Sequence, residues 1–251
     1  MLSIFVRNNI LKNIEHQIFT KKDIENYIWE IVNEFELNDY LKDIIFTNDI
    51  EHLAFYHFGE RTLKINYEEM INDAENNYGK EDKHELVIFT NLYILTSLVH
   101  EIVHILQNYY ARTSRKPIRI YMKTEILCFS TLTKELYDKY YDCFSFEREA
   151  IVTSLEVVLY VIKTKIKNEE LYGYFRDWLA ESLLSGYIIK HKKLISPAHI
   201  ISKNVMKISG SYKPKYNIYS KLKYGFDLPY WQYNYFKNNA ATIINKKTLH
   251  Q

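Results

Sequence analysis

Apolar residues recur at helical spacing through Ile24, Tyr27, Ile28, Ile31, Val32 and Phe35. Thr20-Lys21-Lys22-Asp23 stands just ahead of them as a start signal, so the segment reads as an amphipathic helix. Ile44-Ile45-Phe46-Thr47 reads as a short strand. From His52 to Asn66 apolar and polar positions alternate about Gly59-Glu60, which is the pattern of a hairpin. Glu68 to Asn77 returns to helical spacing. From Leu86 to Leu106 most positions are apolar or small, with no proline or glycine, and this stretch reads as a buried core helix. Ala111-Arg112-Thr113-Ser114-Arg115-Lys116-Pro117 is a polar breaker. Ile118 to Phe129 fits strand or helix. Helices are expected at Leu132 to Tyr141, from Ser145 through Ile162, and from Glu169 to about Ile189. The sum is an α+β fold, mostly helical, with a small antiparallel sheet.

That apolar helix carries the chemistry. Between Val87 and Gln107 charge is confined to Glu101 and two histidines, in the order His100-Glu101-Ile102-Val103-His104. Charges are costly in a core unless they are paired or bound to metal. Residues four apart share a helical face, so His100 and His104 can offer two imidazole nitrogens to one ion. Glu101 lies about 100° around the helix, beside the ion rather than on it. Zinc lowers the pKa of a bound water toward neutrality, and Glu101 is placed to take its proton. The bland alternative is a core helix with two hydrogen-bonded histidines.

Catalytic zinc takes three protein ligands and keeps one position open. Two acids compete for the third place in Phe146-Glu147-Arg148-Glu149-Ala150. Glu147 shares a face with Ala150, Ile151, Ser154 and Val158, which are small or apolar. Glu149 shares one with Val152, Thr153, Glu156 and Tyr160, which is more polar. A carboxylate on the core side is the better placed ligand, and Glu149 is the alternative. Both also suit the first turn of a helix, where acids favour the helix dipole.

Taken together, His100-Glu101-Ile102-Val103-His104 and the later Glu147-Arg148-Glu149-Ala150 resemble the glutamate-zincin metallopeptidases, closest in pattern to the ImmA/IrrE-like family. In that family a glutamate three residues before an alanine completes the zinc site. The resemblance implies a zincin-like core, Zn2+ at His100, His104 and Glu147, Glu101 as general base and acid, and a protein or peptide substrate. It also implies a strand pair beside the active-site helix, which His52–Asn66 can supply, with an edge strand able to bind extended substrate. His57, on that hairpin, is an expected candidate for stabilising an oxyanion.

Charge splits the chain. Residues 1–181 hold 30 acidic and 21 basic side chains, whereas residues 182–251 hold one acidic and 12 basic. The expected organisation is therefore a metallopeptidase domain over 1–181 and a basic, tyrosine-rich region over 182–251. Lysines there interleave with Tyr212, Tyr216, Tyr219 and Tyr224, a composition that suits nucleic acid or another anionic partner. A basic tail folded onto the acidic body of the same chain is the competing reading. Cys128 and Cys143 are too few for a disulfide framework, which points to a reducing compartment and a cytoplasmic protein. Met1 to Ile10 lacks the apolar run of a signal peptide, and no membrane span is expected because the most apolar stretch contains the motif.

Overall fold

The computed structural model describes residues 5–6, 9–79, 82–113, 145–185, 188–190 and 193–195. The chain divides into two units, one built from residues 1–109 and 150–179 and the other from residues 110–149 and 180–251. The architecture is α+β and mostly helical.

Helix α1 spans Lys21–Glu34. Thr20 and Asp23 close its first turn reciprocally. The Asp23 N–H donates to Thr20 Oγ1 at 3.2 Å, and the Thr20 N–H donates to Asp23 Oδ2 at 2.9 Å. The apolar stripe read from the sequence (Ile24, Tyr27, Ile28, Ile31 and Val32) is the buried face.

Three strands follow, β1 (Asp43–Phe46), β2 (Ala54–His57) and β3 (Thr62–Ile65), in the order β1-β3-β2. The expected hairpin is present, with β2 antiparallel to β3. The expectation of an antiparallel sheet needs correction, because β1 pairs parallel to β3 and the sheet is mixed. The cause is connectivity. The chain reverses between β1 and β2 but leaves a gap, which β3 fills after reversing once more, so β3 points along β1. One face of this sheet aligns Ile44, Leu63 and Tyr56, of which Leu63 and Tyr56 are fully buried.

Helix α2 (Tyr67–Tyr78) starts on the Asn66 side chain, which accepts from the Glu69 N–H. It ends at Gly79, whose φ of 64° is the left-handed cap that glycine adopts without a Cβ clash. Helix α3 (Lys83–Thr113) contains the motif and extends beyond the expected core stretch at both ends. Asp82 Oδ1 caps it, accepting from the N–H groups of His84 and Glu85. Among the described residues α3 is the one helix long and apolar enough to cross a membrane, and 78% of its most apolar window is buried inside the protein. Phe89 of α3 centres an aromatic cluster with Tyr78 of α2 and with Tyr174 and Phe175 of α5 (Glu169–Ser185).

Helix α4 (Ser145–Val161) precedes α5 and closes through a π turn at Ile162–Ile166, with Lys167 at φ 57° ending it. The expected extension of α5 to Ile189 is also corrected, since α5 stops at Ser185. Gly186 follows in the sequence, a poor helix residue, and the β-branched pair Ile188-Ile189 belongs instead to strand β4 (Ile188–Lys190). In the second unit β4 pairs antiparallel with β5 (Lys193–Ile195). The segments Ile118–Phe129 and Leu132–Tyr141, both cysteines, and nearly all of the basic region 182–251 lie outside the described residues.

Candidate metal centre

The helical turn from His100 to His104 stacks the two imidazoles as their spacing requires. Their ring centroids are 4.7 Å apart, and the two Nε2 atoms face each other at 3.0 Å. Two neutral imidazole nitrogens at this distance need a proton between them, since lone pairs repel. A divalent ion satisfies the same geometry. In a tetrahedral zinc site with Zn–N bonds of the usual length, two ligand nitrogens stand about 3.3 Å apart. His104 is buried and His100 partly exposed, so the pair has one walled side and one open side.

Glu147 joins them from the first turn of α4. A nitrogen from each histidine and a Glu147 carboxylate oxygen all lie within 4.8 Å of one another. Glu147 is 4% exposed, while Glu149, the competing acid, is partly exposed and outside this group. One uninterrupted helix carries Glu147 and Ala150, and Ala150 is fully buried, so the carboxylate sits on the core-facing side of that turn. Two imidazoles and a carboxylate form a donor set that suits zinc, and the spacing fits one ion after small side-chain shifts.

Glu101 is 7% exposed, and its Oε2 accepts the main-chain N–H of Tyr56 at 2.7 Å. That donor has a structural origin. Along β2 the main-chain groups of Leu53 and His57 turn toward β3, where the Leu53 and His57 carbonyls accept from the N–H groups of Asn66 and Arg61. Tyr56 therefore turns its N–H to the outer edge, and the motif helix lies there. Glu101 Oε1 accepts no hydrogen bond from the described residues, so the carboxylate is fixed through Oε2.

Several residues around the motif carry structure that the sequence reading did not assign. Gln107 Oε1 is 2.7 Å from His104 Nδ1. Asn108 Nδ2 donates to the Tyr56 hydroxyl at 2.7 Å and to the Phe58 carbonyl at 3.4 Å. The Tyr56 hydroxyl in turn donates to the Tyr40 carbonyl. The Phe58 ring lies 6.0 Å from the His104 ring. Helical spacing could have flagged Gln107 and Asn108, which follow His104 on the same side of an apolar helix. A main-chain donor such as Tyr56 N–H leaves no signal in side-chain pattern.

His57, expected as an oxyanion candidate, is engaged elsewhere. Its Nδ1 accepts the Glu60 N–H at 3.0 Å and helps close the β2–β3 turn, and strand alternation puts it on the sheet face opposite Tyr56. On α4, burial pushes the Glu156 carboxyl up to about 8 from an ordinary 4.5.

No protein-family model matches the chain, and neither a curated protein nor a solved structure matches it.

Proposed function

We propose that this chain is a cytoplasmic zinc-dependent endopeptidase of the glutamate-zincin kind, with a protein or peptide as substrate. The carrying observation is the convergence of His100, His104 and Glu147 donor atoms within 4.8 Å, beside a glutamate that is buried and held by one oxygen. When bound there, zinc supplies Lewis acidity to a carbonyl and acidifies water. The chain's own part begins with orientation. Tyr56 N–H holds Glu101 Oε2, which fixes where Oε1 points. Glu101 Oε1 removes the proton of the attacking water and returns it to the leaving amine, so one carboxylate serves both halves of the hydrolysis. Strand β2 is an edge strand of the sheet, and its outward Tyr56 N–H serves the motif helix by holding the Glu101 carboxylate.

The test compares wild type with Glu101→Gln and His104→Ala on a peptide library, with zinc measured in each protein. The proposal expects Glu101→Gln to keep zinc and lose cleavage, and His104→Ala to lose both. Full cleavage by Glu101→Gln would sink the assigned role. The lysine-rich, nearly acid-free composition of residues 182–251 favours an additional anionic partner, either nucleic acid or an acidic protein surface. Salt-sensitive binding of an oligonucleotide by the full chain, lost when those lysines are replaced, is the expected sign of the nucleic-acid form.

A further inference from the structure

The His104 ring has two nitrogens with different tasks. Nε2 faces His100 Nε2, and Nδ1 faces the Gln107 side-chain carbonyl oxygen. An amide carbonyl only accepts, so the 2.7 Å contact requires the proton on Nδ1. A neutral imidazole carrying its proton there keeps the lone pair on Nε2, the nitrogen aimed at the candidate centre. Gln107 is 2% exposed, on a helix whose other inward positions are mostly apolar, and a leucine would fill its place without a polar atom to satisfy. The Phe58 ring limits tilting of the imidazole from another side.

We propose that Gln107 is the positioning residue of the metal centre, selecting the His104 tautomer and ring orientation that present Nε2 to the ion. The inference rests on the metal-centre reading above. Its partner is a neutral amide from the same helix rather than a carboxylate from elsewhere in the fold. The orienting bond is thus set within one turn of α3 and is present before any ion arrives.

Two measurements on the full-length chain test this. In the metal-free protein, at a pH where both imidazoles are neutral, nitrogen NMR should find His104 protonated at Nδ1. A predominant Nε2–H form overturns the inference without any mutation. Zinc affinity, measured by competition with a chromophoric chelator, should then fall about 10–100-fold in Gln107→Leu. It should return to within a few-fold of wild type in Gln107→Glu, which restores an acceptor. Circular dichroism and the melting temperature of each metal-free variant separate this from a folding defect. If Gln107→Leu does not fold, the tautomer and the Gln107→Glu affinity still decide. Wild type and Gln107→Leu binding zinc equally, while His104→Ala binds none, overturns the Gln107 role alone. Wild type that takes up no zinc overturns the metal-centre reading together with it.

Discussion

Helix α3 buries polar side chains in two places, and their fates differ. Near its start Asn91 is fully buried. Its Oδ1 accepts the Phe19 N–H at 2.9 Å, and its Nδ2 donates to the carbonyls of Ile14 at 2.9 Å and Gln17 at 2.8 Å. Both amide hydrogens and the carbonyl oxygen serve main-chain groups of one N-terminal segment. A turn or two beyond mid-helix, the two histidine Nε2 atoms face each other with Glu147 nearby, and among the described residues Glu101 is held through one oxygen. Burial is the same in kind. What separates the two places is what the polar atoms meet: Asn91 meets main-chain groups of one segment, whereas in the second cluster side-chain donor atoms from two helices converge.

The sharpest way to break this comparison is at Glu101. Glu101→Gln preserves shape and should lower peptide hydrolysis by about 10²–10⁴-fold while zinc content stays at the wild-type level. Asn91→Ala should do the reverse. It leaves the buried Phe19 N–H and Ile14 carbonyl without partners and is expected to destabilise the fold by about 2–3 kcal/mol in urea denaturation, with zinc affinity unchanged. Equal losses of stability and metal from either variant would erase the distinction.

Asn108 lies between the two kinds, because it ties the motif helix to Tyr56 of β2 and to the Phe58 carbonyl just past that strand. Asn108→Ala should cost about 1–2 kcal/mol of stability, read by urea denaturation, with zinc content retained.

The smallest effect is expected at Glu156, a part-buried acid whose raised pKa has desolvation as its cause. A folded-state value above the ordinary one means that the fold holds the proton more tightly than the unfolded chain does. The stabilisation is therefore complete below about pH 4.5 and is lost as pH rises toward about 8. Glu156→Gln should flatten that slope. At pH 9 it should be more stable than wild type by about 1 kcal/mol, after discounting for solvent screening. Thermal melts across pH check this, and an unchanged slope counts against it.

Much of the local structure was legible because its causes are local. Thr20 and Asp23 cap α1 within four residues, Gly59-Glu60 sits in the hairpin turn, and the 3.6-residue repeat alone stacks His100 on His104. Glu147 could be preferred over Glu149 because helical periodicity assigns them different faces, and the packed structure groups Glu147 with the histidines. Strand direction was not legible. Whether β1 runs with or against β3 depends on how the loop before β2 crosses the sheet, and the residues of β1 read alike in either case.

By itself, then, the sequence determined the spacing of the metal-type side chains, the helix that presents them and the apolar surroundings that make their polarity costly. Tertiary packing decided the rest. It brought the Tyr56 N–H to Glu101, set the Asn108 amide between strand and helix, and drew Glu147 from a distant helix toward the two imidazoles. The reason is range. Side-chain identity and helical period act over a turn or two, whereas a main-chain donor or a carboxylate from another element arrives only when burial of apolar surface fixes those elements against one another.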